Sequence, residues 1–276
     1  ERFLDIELTK TNYMTTGRVY MSVIEKERTM KFKGKCVEVV PHIPEEIISR
    51  IKKAQKHSDA DITMMEIGGT VGEYQNLLFL EAVREMKLKN PDDVAIVLVS
   101  YMPVPSHLGE MKTKPTQNAQ KALNSVDLHA DIIVARGPMP LDEIRKQKLA
   151  MLCGVKKENS ISAPDVESIY EIPIKLEEQN MGNKILEALK LKSKKTNIEP
   201  WKKFVHKIKN TKKEVNIAVV GKYFGIGDYT LSDSYISVIE AVKHAAWFHN
   251  AKPVLTWVDS EDFKKRQEDL LSETLK

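Results

Sequence analysis

The chain has 276 residues, 42% apolar and 30% charged, with 43 Lys and Arg against 39 Asp and Glu for a net charge of +4. These figures exclude a disordered or collagen-like chain, and two cysteines, Cys36 and Cys153, are too few for a disulfide scaffold. The longest apolar run, Val94–Val99, falls far short of the ~20 residues of a spanning helix, so a soluble protein with no membrane partner, in the reducing cytoplasm, is expected.

In chain order, short apolar runs alternate with helix-period segments. Strands are expected at Cys36–Val40, Ile62–Ile67, Val94–Tyr101, Asp131–Ala135, Leu149–Cys153 and Ser160–Ala163. Helices are expected at Pro44–His57, Leu77–Leu88 and Pro115–Val126, each with its apolar residues on one face. Continuous Val/Ile/Leu runs are what strands buried on both faces require, and βαβα alternation predicts an α/β fold with a doubly wound, mostly parallel sheet. The pattern restarts with strand Asn216–Val220, helix Ser234–Trp247 and strand Val254–Val258, the start of a second α/β domain. The domain reading is therefore 1–192, a Lys-rich linker at 193–214, and 215–276. Glu1 is not an initiator Met and Leu270–Lys276 has a helical pattern, so both ends are expected to be cut.

Between Lys184 and Lys213 eleven lysines face only Glu187 and Glu199, a local charge of +9. Nucleic-acid stripes carry Arg, Gly and stacking aromatics, and this one has no Arg and only Trp201 and Phe204. A solvated linker is the expectation, with no nucleic-acid partner.

In open α/β sheets ligands gather beyond the carboxyl ends of the strands, and three features fall there. Glu66 closes an apolar run and precedes Gly68, Gly69 and Gly72, a carboxylate beside backbone amides that suits Mg²⁺ bridged to phosphate, or else a glycine turn with Glu66 bonded locally. Lys112-Thr113-Lys114-Pro115-Thr116-Gln117 opens a helix; its positive dipole end and two ammonium groups suit a polyphosphate, or else are surface lysines at a capped helix. Asp165, within Ala163–Tyr170, follows the last strand and reads as a helix cap before it reads as a ligand, and Lys148 stands within reach of a phosphate or of solvent. The chain holds no G-x-x-x-x-G-K-[ST] loop, its seven histidines have no metal-ligand spacing, and both cysteines read as inert packing residues.

The stretches Glu1–Lys10, Val39–Ile43, Glu66–Gly72, Gly109–Gln117, Asp165–Tyr170 and Val219–Tyr223 resemble the CTP synthase family, glutamine-dependent enzymes that aminate UTP to CTP. The resemblance implies a P-loop-like synthetase (amidoligase) domain followed by the first part of a class I glutamine amidotransferase domain. It puts the phosphate loop upstream of Glu1 and the Cys-His-Glu triad beyond Lys276, so residues 1–276 alone are expected not to turn over. By position it implies that Glu66 holds Mg²⁺, that Lys112 through Gln117 with Lys148 bind UTP or product CTP, and that Pro164, Asp165 and Val166 contact ATP. Two departures stand out: Pro164 at a position where Lys occurs in relatives, and Glu73-Tyr74-Gln75 where they usually have Asp-Ile-Glu at the CTP feedback position.

The implied reaction uses ATP, UTP and glutamine. ATP phosphorylates O4 of uracil, and ammonia released from glutamine then displaces that phosphate at C4. A homotetramer is implied as well. Two other readings remain open: a different P-loop-like ligase, such as a dethiobiotin-type synthetase, and a chain that only binds nucleotides or oligomerises.

Overall fold

Three of the apolar runs form a parallel sheet. In the computed structural model, which describes residues 3–194, 196–222, 225–226, 229–230 and 235–260, β1 (Val97–Tyr101), β2 (Ile132–Gly137) and β3 (Ser160–Pro164) lie in that order. Their register aligns Tyr101 with Arg136 and Arg136 with Ala163, so the three carboxyl ends share one edge. Alternation sorts the side chains of β2 cleanly: Ile133 and Ala135 enter one core cluster, Ile132 and Val134 another. The first cluster takes Leu80 of α3 (Leu77–Lys89), Leu123 of α4 (Lys114–Asn124), and Leu149 and Cys153 of α5 (Glu143–Cys153). The second takes Leu176 of α6 (Ile172–Glu177) and Met181 and Ile185 of α7 (Met181–Ala188). Both faces of the central strand β2 are thus covered, while Val99 and Tyr101 of β1 stay exposed.

Three expected strands are absent among the described residues. The stretch Cys36–Val40 leads into α2 (Val39–Ser58), whose regular part begins after the non-helical Val40. Pro41 and Pro44 lack the N–H groups a ladder needs but are tolerated in a first helical turn, where His42 Nδ1 accepts from the Glu38 N–H at 3.0 Å. Ile62–Ile67 has no ladder partner; Met65 packs on a cluster between helices and Ile67 on the sheet core. Leu149–Cys153 is the last part of α5, capped by Asp142 at its start and by left-handed Gly154 (φ 73°) at its end.

Helices α1 (Thr16–Arg28) and α2 pack with α3 through Val19, Val23, Ile43, Ile47, Ile51 and Ala82. At their border Glu46, only 6% exposed, accepts from Lys26 and, at 2.7 Å, from Arg50. Burial pushes the Glu46 pKa up, but the hydrogen bonds from Lys26, Arg50 and Ser22 outweigh it and hold the carboxyl below the usual Glu range. A depressed folded-state pKa contributes stability above the unfolded value and loses it as pH falls through the folded one. Glu46→Gln should therefore cost about 1–2 kcal/mol at pH 7, with the gap closing as pH drops below about 4. Urea unfolding of both proteins across that range checks this, and a pH-independent gap contradicts it.

The chain divides into two compact units, Glu1–Lys195 and Thr196–Lys276. In the second, β4 (Lys213–Gly221) pairs in parallel with β7 (Ala251–Asp259), and β5 (Gly225–Ile226) pairs antiparallel with β6 (Tyr229–Thr230). Between β4 and β7 runs α9 (Ile236–Phe248), its Ile239, Ala246 and Trp247 buried. Ser234, the expected first residue of this helix, and the helical pattern at Leu270–Lys276 lie outside the described residues. Residues 199–210 of the expected linker instead form α8 (Glu199–Asn210), whose Val205 is buried and whose Phe204 ring stands 6.0 Å from Trp247. Its lysines all lie on the exposed side. No helix among the described residues is long and apolar enough to cross a membrane.

Candidate nucleotide site

The strand β1 ends at Tyr101, and the following loop is tied back by the Lys112 N–H bonding the Pro103 carbonyl at 2.9 Å. That loop delivers Lys112 and Thr113 to the start of α4, where Pro115 sits in the first turn, a place that needs no N–H. Thr113 is the N-cap by backbone alone; its hydroxyl instead accepts from Gln117 Nε2 at 2.9 Å. Thr116 is fully buried and bonds Ser100 of β1 at 2.8 Å, which pins the helix start to the carboxyl end of the sheet.

A cavity of about 310 Å³ opens at this helix start, lined by Lys112, Thr113, Lys114, Gln117, Lys148 and Leu152 with Glu110 and Met111. Five of the seven residues expected to hold UTP therefore meet in one place. Pro115 and Thr116 do not line it and act as scaffold. Lys148 arrives from α5, and Arg145, one turn earlier, joins that helix to the loop by donating to the Met111 carbonyl at 2.9 Å. Arg145 also pairs with Glu110 at 3.3 Å.

Glu110 and Arg145 were not singled out by sequence reasoning. The signal for Glu110 was its place two residues before Lys112. For Arg145 it was the i, i+3 spacing to Lys148, readable only once α5 is known to be a helix.

Glu110 bonds Lys112 at 3.0 Å. That hydrogen bond first, then the charges of Lys112, Arg145 and Lys148, hold its carboxyl below the usual Glu range. Lys114 and Lys148 make no ion pair among the described residues. Two ammonium groups that bond no carboxylate directly, beside the first-turn N–H groups of a helix, suit a phosphate chain.

A family model described as CTP synthase N-terminus matches residues 1–191, which include this whole site. The chain belongs to that family. It is similar to the CTP synthases of Saccharolobus solfataricus (43% identical over 276 residues, 98% of this chain and 50% of that protein) and Sulfolobus acidocaldarius (43% over 273 residues, 98% and 50%). The CTP synthase of Pyrococcus furiosus is 43% identical over 272 residues, 98% of this chain and 49% of that protein. The chain thus spans about half the length of these curated relatives.

The other residues assigned from the CTP synthase resemblance lie outside the lysine cavity. Glu66 is exposed, in a segment without regular structure, so no burial cost argues for a cation beside it. Its segment and the cavity share the core beneath them: Ile67 and Val71 pack on the cluster that includes Met111 and Leu123. Gly69 (φ 85°) and Gly72 (φ 95°) turn the chain after it, and a Cβ on Gly69 would stand 2.9 Å from Glu73 Oε2. Glu73 accepts from the Gln75 side chain, and Tyr74 is 93% exposed.

Pro164, Asp165 and Val166 leave the carboxyl end of β3, on the sheet edge that also releases the lysine loop. Asp165 caps no helix. Its N–H bonds the Gly137 carbonyl at 2.9 Å and its carboxylate pairs with Arg136 at 3.1 Å. Among the described residues no three His, Cys, Asp or Glu side chains form a metal-binding group. A single exposed carboxylate fits Mg²⁺ in one way only, with phosphate oxygens and water filling its other positions. Cys153 is buried, which pushes its thiol pKa up and makes it a packing group, while Cys36 is exposed.

Proposed function

We propose that the chain is the synthetase part of a CTP synthase, a ligase that forms a C–N bond by ATP-dependent amination of UTP with glutamine-derived ammonia. The observation that carries this reading is the cavity in which Lys112, Lys114, Lys148, Thr113 and Gln117 meet at the start of α4, inside the family-matching region. Lys114 and Lys148 grip the UTP triphosphate, and the first turn of α4 adds N–H donors. ATP approaches from Pro164, Asp165 and Val166, on the same sheet edge, so the two nucleotides meet over the carboxyl ends of the strands.

Glu66 is the residue that would hold Mg²⁺, which supplies charge neutralisation to the phosphates when bound. The exposed Glu73-Tyr74-Gln75 turn takes part in CTP feedback, and its departure from the family pattern alters feedback more than turnover. Residues 1–192 form the synthetase domain, and residues from 215 begin the amidotransferase domain. The assembly is a homotetramer in the cytoplasm, a compartment compatible with two free thiols. Incubating the full-length protein with UTP, ATP and ammonia should form CTP only when ATP is present; failure to form CTP contradicts the reading.

A further inference from the structure

A second cavity, of about 640 Å³, lies where the polar borders of α1 and α2 meet, and it shares no residue with the lysine cavity. Its walls carry Lys10, Arg18, Lys26, Arg50, Lys53 and His57 against a single carboxylate, Glu46. Helical periodicity builds it. Arg18, Ser22 and Lys26 recur every fourth residue along α1, and Glu46, Arg50, Lys53 and His57 recur every third or fourth along α2. The apolar seam of Val19, Val23, Ile43 and Ile47 fixes the two stripes beside each other.

Glu46 is already spent on Lys26 and Arg50. Arg18 reaches only the Tyr13 carbonyl, at 3.1 Å, and Lys10, Lys53 and His57 make no ion pair among the described residues. Lys10, Arg18 and Lys53, converging in a concave wall, focus a positive potential that neither the Glu46 ion pairs nor the proposed amination reaction uses. The hydroxyls of Thr11, Ser22 and Ser49 add neutral donors.

We propose that this cavity binds a compact polyanion of the di- or triphosphate class. Its volume lies within the ~300–1,000 Å³ of small-molecule sites, and its donors are spread over several elements, as a chain of phosphates requires.

Calorimetric titration of inorganic tripolyphosphate into the full-length protein tests this, in a Lys114→Ala/Lys148→Ala background that removes the first cavity's two ammonium groups not bonded to Glu110. Adding Lys10→Ala and Lys53→Ala should weaken one class of binding by tenfold or more. Adding Lys52→Ala and Lys56→Ala, which removes equal charge from the same helix outside the cavity, should leave that class within about twofold. All these lysines lie on exposed positions, Lys10 at the start of a short 3-10 helix and the others on α-helices, so the variants keep the fold. An isotherm unchanged by the Lys10/Lys53 pair overturns the proposal, and so does equal weakening by the Lys52/Lys56 pair.

Discussion

Lys114→Ala and Lys148→Ala in the full-length protein should each weaken UTP binding by about 10- to 100-fold, the loss expected for one charge-assisted phosphate contact. Lys112→Ala should cost only severalfold. The ranking follows from the unliganded geometry. The Lys112 ammonium already bonds Glu110 at 3.0 Å, so a phosphate gains its charge only by trading away an existing partner. Among the described residues Lys114 and Lys148 have no such bonded partner to give up. Equilibrium binding of UTP at two salt concentrations checks both statements, because losing an ammonium that grips phosphate also flattens the salt dependence. Equal effects of the three substitutions would contradict the role given to Glu110. Unchanged affinity in Lys114→Ala would remove the site assignment.

Leu149→Ala should cost about 3–4 kcal/mol of unfolding free energy, and Met151→Ala less than about 0.5 kcal/mol. Leu149 is fully buried and packs in the sheet core, whereas Met151 is 75% exposed. The pair discriminates sharply because a strand would put residues 149, 151 and 153 on one face, while a helix puts 149 and 153 there and turns 151 away. Urea denaturation of both variants measures the difference. Comparable losses would reject the helical assignment of this segment and, with it, the arrival of Lys148 from α5.

That segment also shows where the sequence was legible and where it was not. Strands β1 and β2 were readable as mainly apolar runs between helical segments, and β3 as a short stretch whose Ile161 and Ala163 alternate with serines. The same rule misassigned Leu149–Cys153, since five apolar residues look alike in a buried strand and at the end of a helix. Asp142 and Gly154, twelve residues apart, carried the deciding information. Cys36–Val40 failed for another reason: its β-branched residues favour a strand, but Pro41 and Pro44 cannot serve a ladder. Ile62–Ile67 has strand composition and no neighbour to pair with among the described residues, and pairing is a property of the fold, not of the segment.

The lysine cavity was legible because a helix start flanked by lysines before Pro115 is local chemistry. Its counter-charge was not. Glu110 and Arg145 lie 35 residues apart in the chain, and only the packing of α5 beside the loop after β1 brings them together. Glu66 lies exposed because the strand expected at Ile62–Ile67 does not form. The groove between α1 and α2 passed unread for a related reason. Its cations are ordinary solvated helix positions until two helices set their stripes face to face.

The most direct measurement is the structure of the full-length protein with UTP bound. The triphosphate oxygens should lie within about 3 Å of Nζ of both Lys114 and Lys148, at the start of α4. A triphosphate seated elsewhere, with those two ammonium groups facing only water, would contradict the account.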